Sequence, residues 1–295
     1  MRRLILLITI CISSVSFGQT NNYSLEFDGN NFNANDGRVE FGNVNLGNNF
    51  TVCFWVKDST HLNSSYFHEL VHINGDFTTG FYSDTIFGVN IGSGGNNSNW
   101  ALAGANTDCP QTVSFFNNWS YFSILYNNDS LKVYINSQLE SQYYAPGYTI
   151  NGYLLLGDRN FNSSGNYNHN GKMDDVSLWD TVLTEQEIQD YMNCPPTGNE
   201  SGLVGYWNFE EGGGSATIDQ TINGNDGIIN GGVTWSTDVP AYNFNIGISE
   251  FNSNQPKKLI KIVNLLGQEV EYTPNAILIY QYSDGTSEKV FTIED

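Results

Sequence analysis

FTVCFWVK (Phe50–Lys57) alternates: Phe50, Val52, Phe54 and Val56 fall on one face of an extended chain, and Thr51, Cys53, Trp55 and Lys57 on the other. Successive side chains of a strand point to opposite sides, so this period of two predicts a strand with one face in a core and Trp55 on the opposite sheet surface. Segments of the same kind lie on either side. They are Ser24–Phe27, Arg38–Phe41, Glu69–Ile73, Thr79–Ser83, Ile86–Ile91, Trp119–Tyr126, Ser130–Ile135, Tyr153–Leu156 and Lys172–Trp179. Turn signals separate them, and Asn127-Asn128-Asp129 reads as a tight hairpin connection. One helix is predicted, from Thr184 to Met192, where Thr184 and Glu187 form a capping box and Cys194-Pro195-Pro196 stops the turn. Many short strands with a single short helix predict an all-β fold, a two-sheet antiparallel sandwich.

Composition agrees. Hydrophobic residues make up 39%, aromatic residues 14% and charged residues only 14%, so uncharged polar side chains must cover the surface. The formal charge is −20, and Lys257, Lys258, Lys261 and Lys289, near the end, are four of the eleven basic residues. The body therefore offers no basic stripe to neutralise phosphates, which argues against a nucleic-acid partner or an anionic membrane.

The first residues have the layout of a signal peptide. Arg2 and Arg3 precede the apolar run Leu4–Ile12, small residues follow, and cleavage is expected between Gly18 and Gln19. That run is shorter than the roughly 20 residues a membrane-spanning helix needs, and no transmembrane segment is expected elsewhere. Ile8, Thr9 and Ile10 are not the small residues that lipid attachment at Cys11 would require. The protein is thus expected outside the cell, secreted or at its surface. Cys53, Cys109 and Cys194 remain after cleavage. Cys53 sits in an apolar strand, while Cys109 and Cys194 are each followed by Pro in loop-like contexts and are the preferred disulfide pair.

Several pieces occur together in an order that resembles a known family. SLEFDG (Ser24–Gly29), FTVCFWVK, NNWSYFSILYNNDSLKVYINSQL (Asn117–Leu139), YLLLGDRN (Tyr153–Asn160) and NGKMDDVSLWDTVLTEQEIQDY (Asn170–Tyr191) resemble a laminin-G-like, concanavalin A-like jelly-roll domain. Ser137 stands where that family's hairpin usually has glycine. GLVGYWNFEEGGGSATIDQTINGNDGIINGGVTW (Gly202–Trp235) resembles the opening of such a domain, here placed after it; it is expected to fold back into the same sandwich with Trp207 and Phe209 inward, the alternative being the leftover start of a truncated second repeat. KKLIKIVNLLGQEVEYTPNAILIYQYSDGTSEKVFTIE (Lys257–Glu294) resembles the C-terminal sorting domain of the type IX secretion system. That resemblance implies an address read by an outer-membrane translocon. The expected organisation is a signal peptide (1–18), a sandwich (19–194), strands completing it (195–240), a linker (241–256) and a small C-terminal β domain (257–295).

By resemblance, Asp28 and Asp175 would help hold a structural calcium ion, with Asn30 and Asp36 as further oxygen donors. Asp219, Thr221, Asn223 and Asn225 also present oxygens at alternate positions, but without a closing bidentate Glu, and an ordinary Asn/Asp-rich turn is the preferred reading there. Exposed aromatic side chains stack on sugar rings while amides bond the hydroxyls. Trp100, in a Gly/Asn-rich loop from Gly92 to Asn106, and Tyr144, Tyr148 and Tyr167 are the candidate ligand contacts.

Catalysis finds little support. Glycan-cutting enzymes of this superfamily need two carboxylates flanking one bond. Asp174 and Asp175 are adjacent, so on a regular strand they point to opposite faces. His68 and His72, four apart on a strand, stand roughly 13 Å from each other, and no nucleophile elbow or phosphate loop is present. The reading is a non-catalytic binding or adhesion module that recognises an extracellular glycan or surface protein through its loops; a polysaccharide hydrolase or lyase is the alternative.

Overall fold

A computed structural model describes residues 21–29, 37–59, 67–73, 77–83, 85–92, 99–104, 114–158, 168–242, 258–264, 267–273, 276–282 and 287–291. The strands, in chain order, begin with β1 (Ser24–Asp28), β2 (Arg38–Gly47), β3 (Asn49–Asp58), β4 (His68–Ile73), β5 (Phe77–Ser83), β6 (Ile86–Ile91) and β7 (Asn99–Gly104). Next come β8 (Ser120–Asn127), β9 (Ser130–Ile135), β10 (Gln138–Tyr144), β11 (Ile150–Leu156) and β12 (Asn170–Trp179), then the helix α1 (Glu185–Asn193). After it lie β13 (Leu203–Trp207), β14 (Ala216–Thr217), β15 (Gly227–Asn230) and β16 (Val233–Ser236).

These form two eight-stranded antiparallel sheets. The first runs β10-β9-β8-β3-β12-β1-β16, with β13 also on β12; the second runs β14-β15-β2-β11-β4-β5-β6-β7. The alternation of residues 50–57 does what its period requires. Phe50, Val52, Phe54 and Val56 enter the core between the sheets, where Phe54 stacks on Phe122 at 5.7 Å and Phe50 meets Phe77 at 5.6 Å. The segment after the helix joins both sheets: β13 pairs with β12, β16 with β1 and β15 with β2. Trp207 and Phe209 lie fully buried in the central core.

The other side of the first sheet is buried too. Cys53, Trp55, Tyr121, Leu125, Tyr134 and Trp179 face outward from their strands and are covered by Leu183 and Ile188 of the helical region and by Leu203 and Tyr206 of β13. Burial pushes the Cys53 thiol up to about 11, so it is inert packing. The helix starts as its sequence dictates. Thr184 caps Glu187 N–H at 3.2 Å, and Glu187 returns a bond to Thr184 N–H at 2.7 Å.

Two strands depart from the sequence expectation. The Gly92–Asn106 region is not all loop, because Asn99–Gly104 pairs with β6 as an edge strand. β10 also forms, although Gln138–Tyr144 shows no apolar alternation, because β9 offers it a ladder. The β9–β10 connection is a two-residue turn in which Asn136 and Ser137 both have left-handed backbones, φ 50° and 64°. That is the primed geometry hairpins favour, and glycine satisfies it at less steric cost. Ser137→Gly is therefore expected to raise stability by about 1 kcal/mol, read as an increased urea midpoint; a lowered midpoint would contradict the assignment of strain to this turn.

A separate unit, Phe244–Asp295, contains β17 (Leu259–Val263), β18 (Ile277–Tyr282) and β19 (Ser287–Phe291) in one three-stranded sheet. Among the described residues no helix is long and apolar enough to cross a membrane.

Candidate functional site

With the first sheet covered, the broad face left to the sandwich is the outer side of the second sheet. On β11 the alternation sends Ile150, Leu154 and Leu156 into the core and leaves Asn151 and Tyr153 outside, Tyr153 at 51% exposure. The antiparallel register sets Tyr153 opposite Asn43 and Asn151 opposite Asn45 on β2, all three asparagines being exposed. The result is a patch with one aromatic ring and three amides on adjoining rows of the same face. A β-bulge between the Tyr153 and Leu155 pairings turns Asn43 outward; without the extra residue on β2 it would face the core.

From this patch a row of directly opposed residues crosses the sheet: Glu40, Leu155, His72, Thr78, Asn90 and the backbone of Trp100. Farther along, the rings of Phe67 and Tyr82, 4.8 Å apart, lie on two glycines. A Cβ on Gly80 would come within 2.7 Å of the Phe67 ring, and one on Gly88 within 2.7 Å of Tyr82. Two carboxylates border the face. Glu40 engages Arg38 at 2.7 Å, and Glu69 is fully buried, 3.7 Å from His72. Two reachable acids flanking one bond are not present among these residues.

The sequence-predicted contacts are distributed differently. Tyr144 is 76% exposed at the end of β10. Tyr148 is a packing residue, its ring against Gly92 and edge-on to Tyr126 at 6.4 Å, with Tyr126 Oη accepting its N–H. Trp100 is opposite Asn90, two residues from Gly92, so β7 and Tyr148 share one end of the sandwich. Tyr167 lies outside the described residues. The sequence reading does not single out Tyr153, although the alternation of Asn151-Gly152-Tyr153 already points it outward.

The calcium expectation meets a geometric obstacle. Asp28 is opposite Asn170 at one end of β12, and Asp175 is five residues along, roughly 15 Å away at the usual strand rise. The two do not converge on one ion. Asn30 and Asp36 lie outside the described residues, among which no cluster of three or more His, Cys, Asp or Glu side chains has metal-holding geometry. The Asp219 carboxylate instead accepts from the N–H groups of Tyr206 (3.1 Å), Thr221 (2.9 Å) and Asn225 (2.9 Å) and from Thr221 Oγ1 (2.8 Å), so it staples a turn. Cys194 is an exposed free thiol, and Cys109 lies outside the described residues.

Asp174 and Asp175 do not point to opposite faces. Asp175 has a left-handed backbone, φ 47°, in a bulge where the edge of β12 passes from β1 to β13. Both carboxylates enter one buried network. Tyr206 Oη donates to Asp175 Oδ1 at 2.6 Å, Tyr242 Oη donates to Oδ2, and Asn21 Nδ2 donates to Asp174 Oδ2 and to Tyr242 Oη, both at 2.9 Å. Burial pushes Asp175 up to about 6 against the two tyrosine bonds, with Glu210 adding to the rise; burial and then Asp175 itself push Asp174 well up. A carboxyl raised on folding contributes stability below its unfolded pKa and loses it as pH rises through the folded value. The buried His169 imidazole, held down to about 3 by burial, acts in the opposite sense, so the wild-type profile mixes the two. The difference between Asp175→Asn and wild type removes the His169 contribution and reads the coupled Asp174–Asp175 pair. The variant's relative stability is expected to grow from pH 4 to pH 7, by up to about 3 kcal/mol; a pH-independent difference would contradict a raised Asp175.

A family profile described as the concanavalin A-like lectin/glucanases superfamily matches residues 33–189, more than half of the chain. The chain belongs to that superfamily. No curated protein matches it. Among solved structures, this concanavalin A-like sandwich is similar to a candidate carbohydrate binding protein from Bacteroides ovatus ATCC 8483, at TM-score 0.58 and 14% identity over 75% of this chain; the likeness spans 62% of that protein's length. It is also similar to a heptameric SAP-like pentraxin from Limulus polyphemus, at TM-score 0.53 and 16% identity over 74% of this chain and 96% of that one. At these identities the shared property is the fold.

Proposed function

We propose that the sandwich is a non-catalytic carbohydrate-binding module whose contact surface is the outer face of the second sheet. The observation that carries this reading is Tyr153, an aromatic ring left outside the core and surrounded by the exposed amides of Asn43, Asn45 and Asn151. A ring stacks on the apolar face of a sugar, and amides both donate to and accept from its hydroxyls. The carbohydrate-binding description of the Bacteroides ovatus protein of like fold supports the same class of ligand. The acidic composition favours neutral polymers over anionic ones.

Affinity electrophoresis in gels containing soluble β-glucan, xylan, mannan or starch tests this. Wild type is expected to be retarded by at least one of the four. Tyr153→Ala is expected to lose more than tenfold in affinity, the effect of removing an aromatic anchor of about 2 kcal/mol. Migration unaffected by all four polymers, or retardation that survives Tyr153→Ala, would refute the assignment. The leader at residues 1–18 and the 257–295 resemblance support export through a type IX translocon, and the mature protein is then secreted or held at the cell surface.

A further inference from the structure

On the opposite side of the sandwich from Tyr153, a cleft of about 470 Å³ opens between the first turns of α1 and the β9–β10 hairpin. Gln186 and Gln189 line it from the helix, Gln138 and Leu139 from β10, and Ser137 from the turn. Its floor is fixed. Tyr134, 2% exposed, donates its hydroxyl to Glu185 Oε1 at 3.0 Å, and burial together with that carboxylate pushes the phenol up to about 12, so it stays a donor. Leu139 is 44% exposed and offers the one apolar wall.

The chemistry of this lining is specific in what it omits. Among the described residues no lysine, arginine or histidine lines the cleft, and the one carboxylate in its lining, Glu185, already accepts from Tyr134. Three primary amides and a hydroxyl can each donate and accept, although Gln186 already gives one N–H to Asp190 Oδ1 at 2.9 Å; such a lining suits a neutral ligand rich in hydroxyl groups, with its apolar face on Leu139. The volume lies in the range of small-molecule sites.

Ser137 supplies an independent pointer. It holds a left-handed backbone, φ 64°, at the second position of a tight hairpin, where glycine would be less strained. Strained residues that persist cluster at functional positions. Here the strained residue is also one of those that line the cleft.

We propose that this cleft is a second binding site, for a neutral sugar of disaccharide size, and that Ser137 occupies its strained position because its hydroxyl contacts that ligand. The site does not depend on Tyr153. The ¹⁵N-labelled full chain, titrated with cellobiose, xylobiose, maltose and lactose, is expected to show shifts at the side-chain amides of Gln138, Gln186 and Gln189 and at Ser137 N–H with at least one sugar. Digalacturonate is expected to leave them in place. Ser137→Gly should raise the urea midpoint yet weaken that titration at least fivefold, and Gln138→Ala with Gln189→Ala should abolish it while gel retardation still requires Tyr153. Unmoved cleft resonances with all four sugars, or equal binding by Ser137→Gly and wild type, would overturn the proposal.

Discussion

Trp207→Ala is expected to destabilise the sandwich by about 4 kcal/mol, the scale for deleting a large buried aromatic side chain. Trp207 is fully buried on β13, and its ring meets Phe41 of the opposite sheet at 4.6 Å. Its ring also covers Gly205, where an added Cβ would come within 2.4 Å of it, so the surroundings are shaped to this side chain. The indole N–H donates to the Asn225 carbonyl at 2.9 Å, and truncation would leave that acceptor without its donor. Urea denaturation followed by tyrosine and tryptophan fluorescence measures the change. A loss under about 1.5 kcal/mol, well below the range for a buried Trp, would mean that the 203–236 strands decorate the sandwich instead of completing its core.

Asp219→Ala should cost a comparable amount, about 3–5 kcal/mol, by a different mechanism. Asp219 is 5% exposed, and the three backbone N–H groups and one hydroxyl that it accepts would lose their partner inside the protein. Its own N–H is held by Asp226 Oδ1 at 2.9 Å, which fixes the turn from the other side. An Asp219→Ala variant within 1 kcal/mol of wild type, well short of the cost of orphaning several buried donors, would mean that the carboxylate does not staple this turn.

The sandwich was legible because its inner faces obey a simple period. Phe50, Val52, Phe54 and Val56 alternate so cleanly that side-chain direction follows from position alone, and they enter the core as expected. Thr184 and Glu187 likewise announce a helix start that depends only on neighbours in sequence. What escaped depends on partners far along the chain. β7 and β10 are edge strands: β10 has a polar sequence without alternation, and β7 is a short run set in a Gly/Asn-rich stretch; both become strands by pairing with β9 and β6. Asp174 and Asp175 share a network only because one left-handed residue breaks the period of two, which adjacent carboxylates in a sequence do not reveal. Tyr153 was visible as an outward residue, yet its significance needs Asn43 and Asn45, more than a hundred positions earlier, placed beside it by register.

The network around Asp175 joins Asn21 to Tyr242, so the sandwich begins and finishes at the same spot. Topologically it is a ring closed by a hydrogen bond. That meeting point lies behind the first sheet, where Tyr242 packs against the outer aromatic cluster, while the Tyr153 patch lies on the outer face of the second sheet.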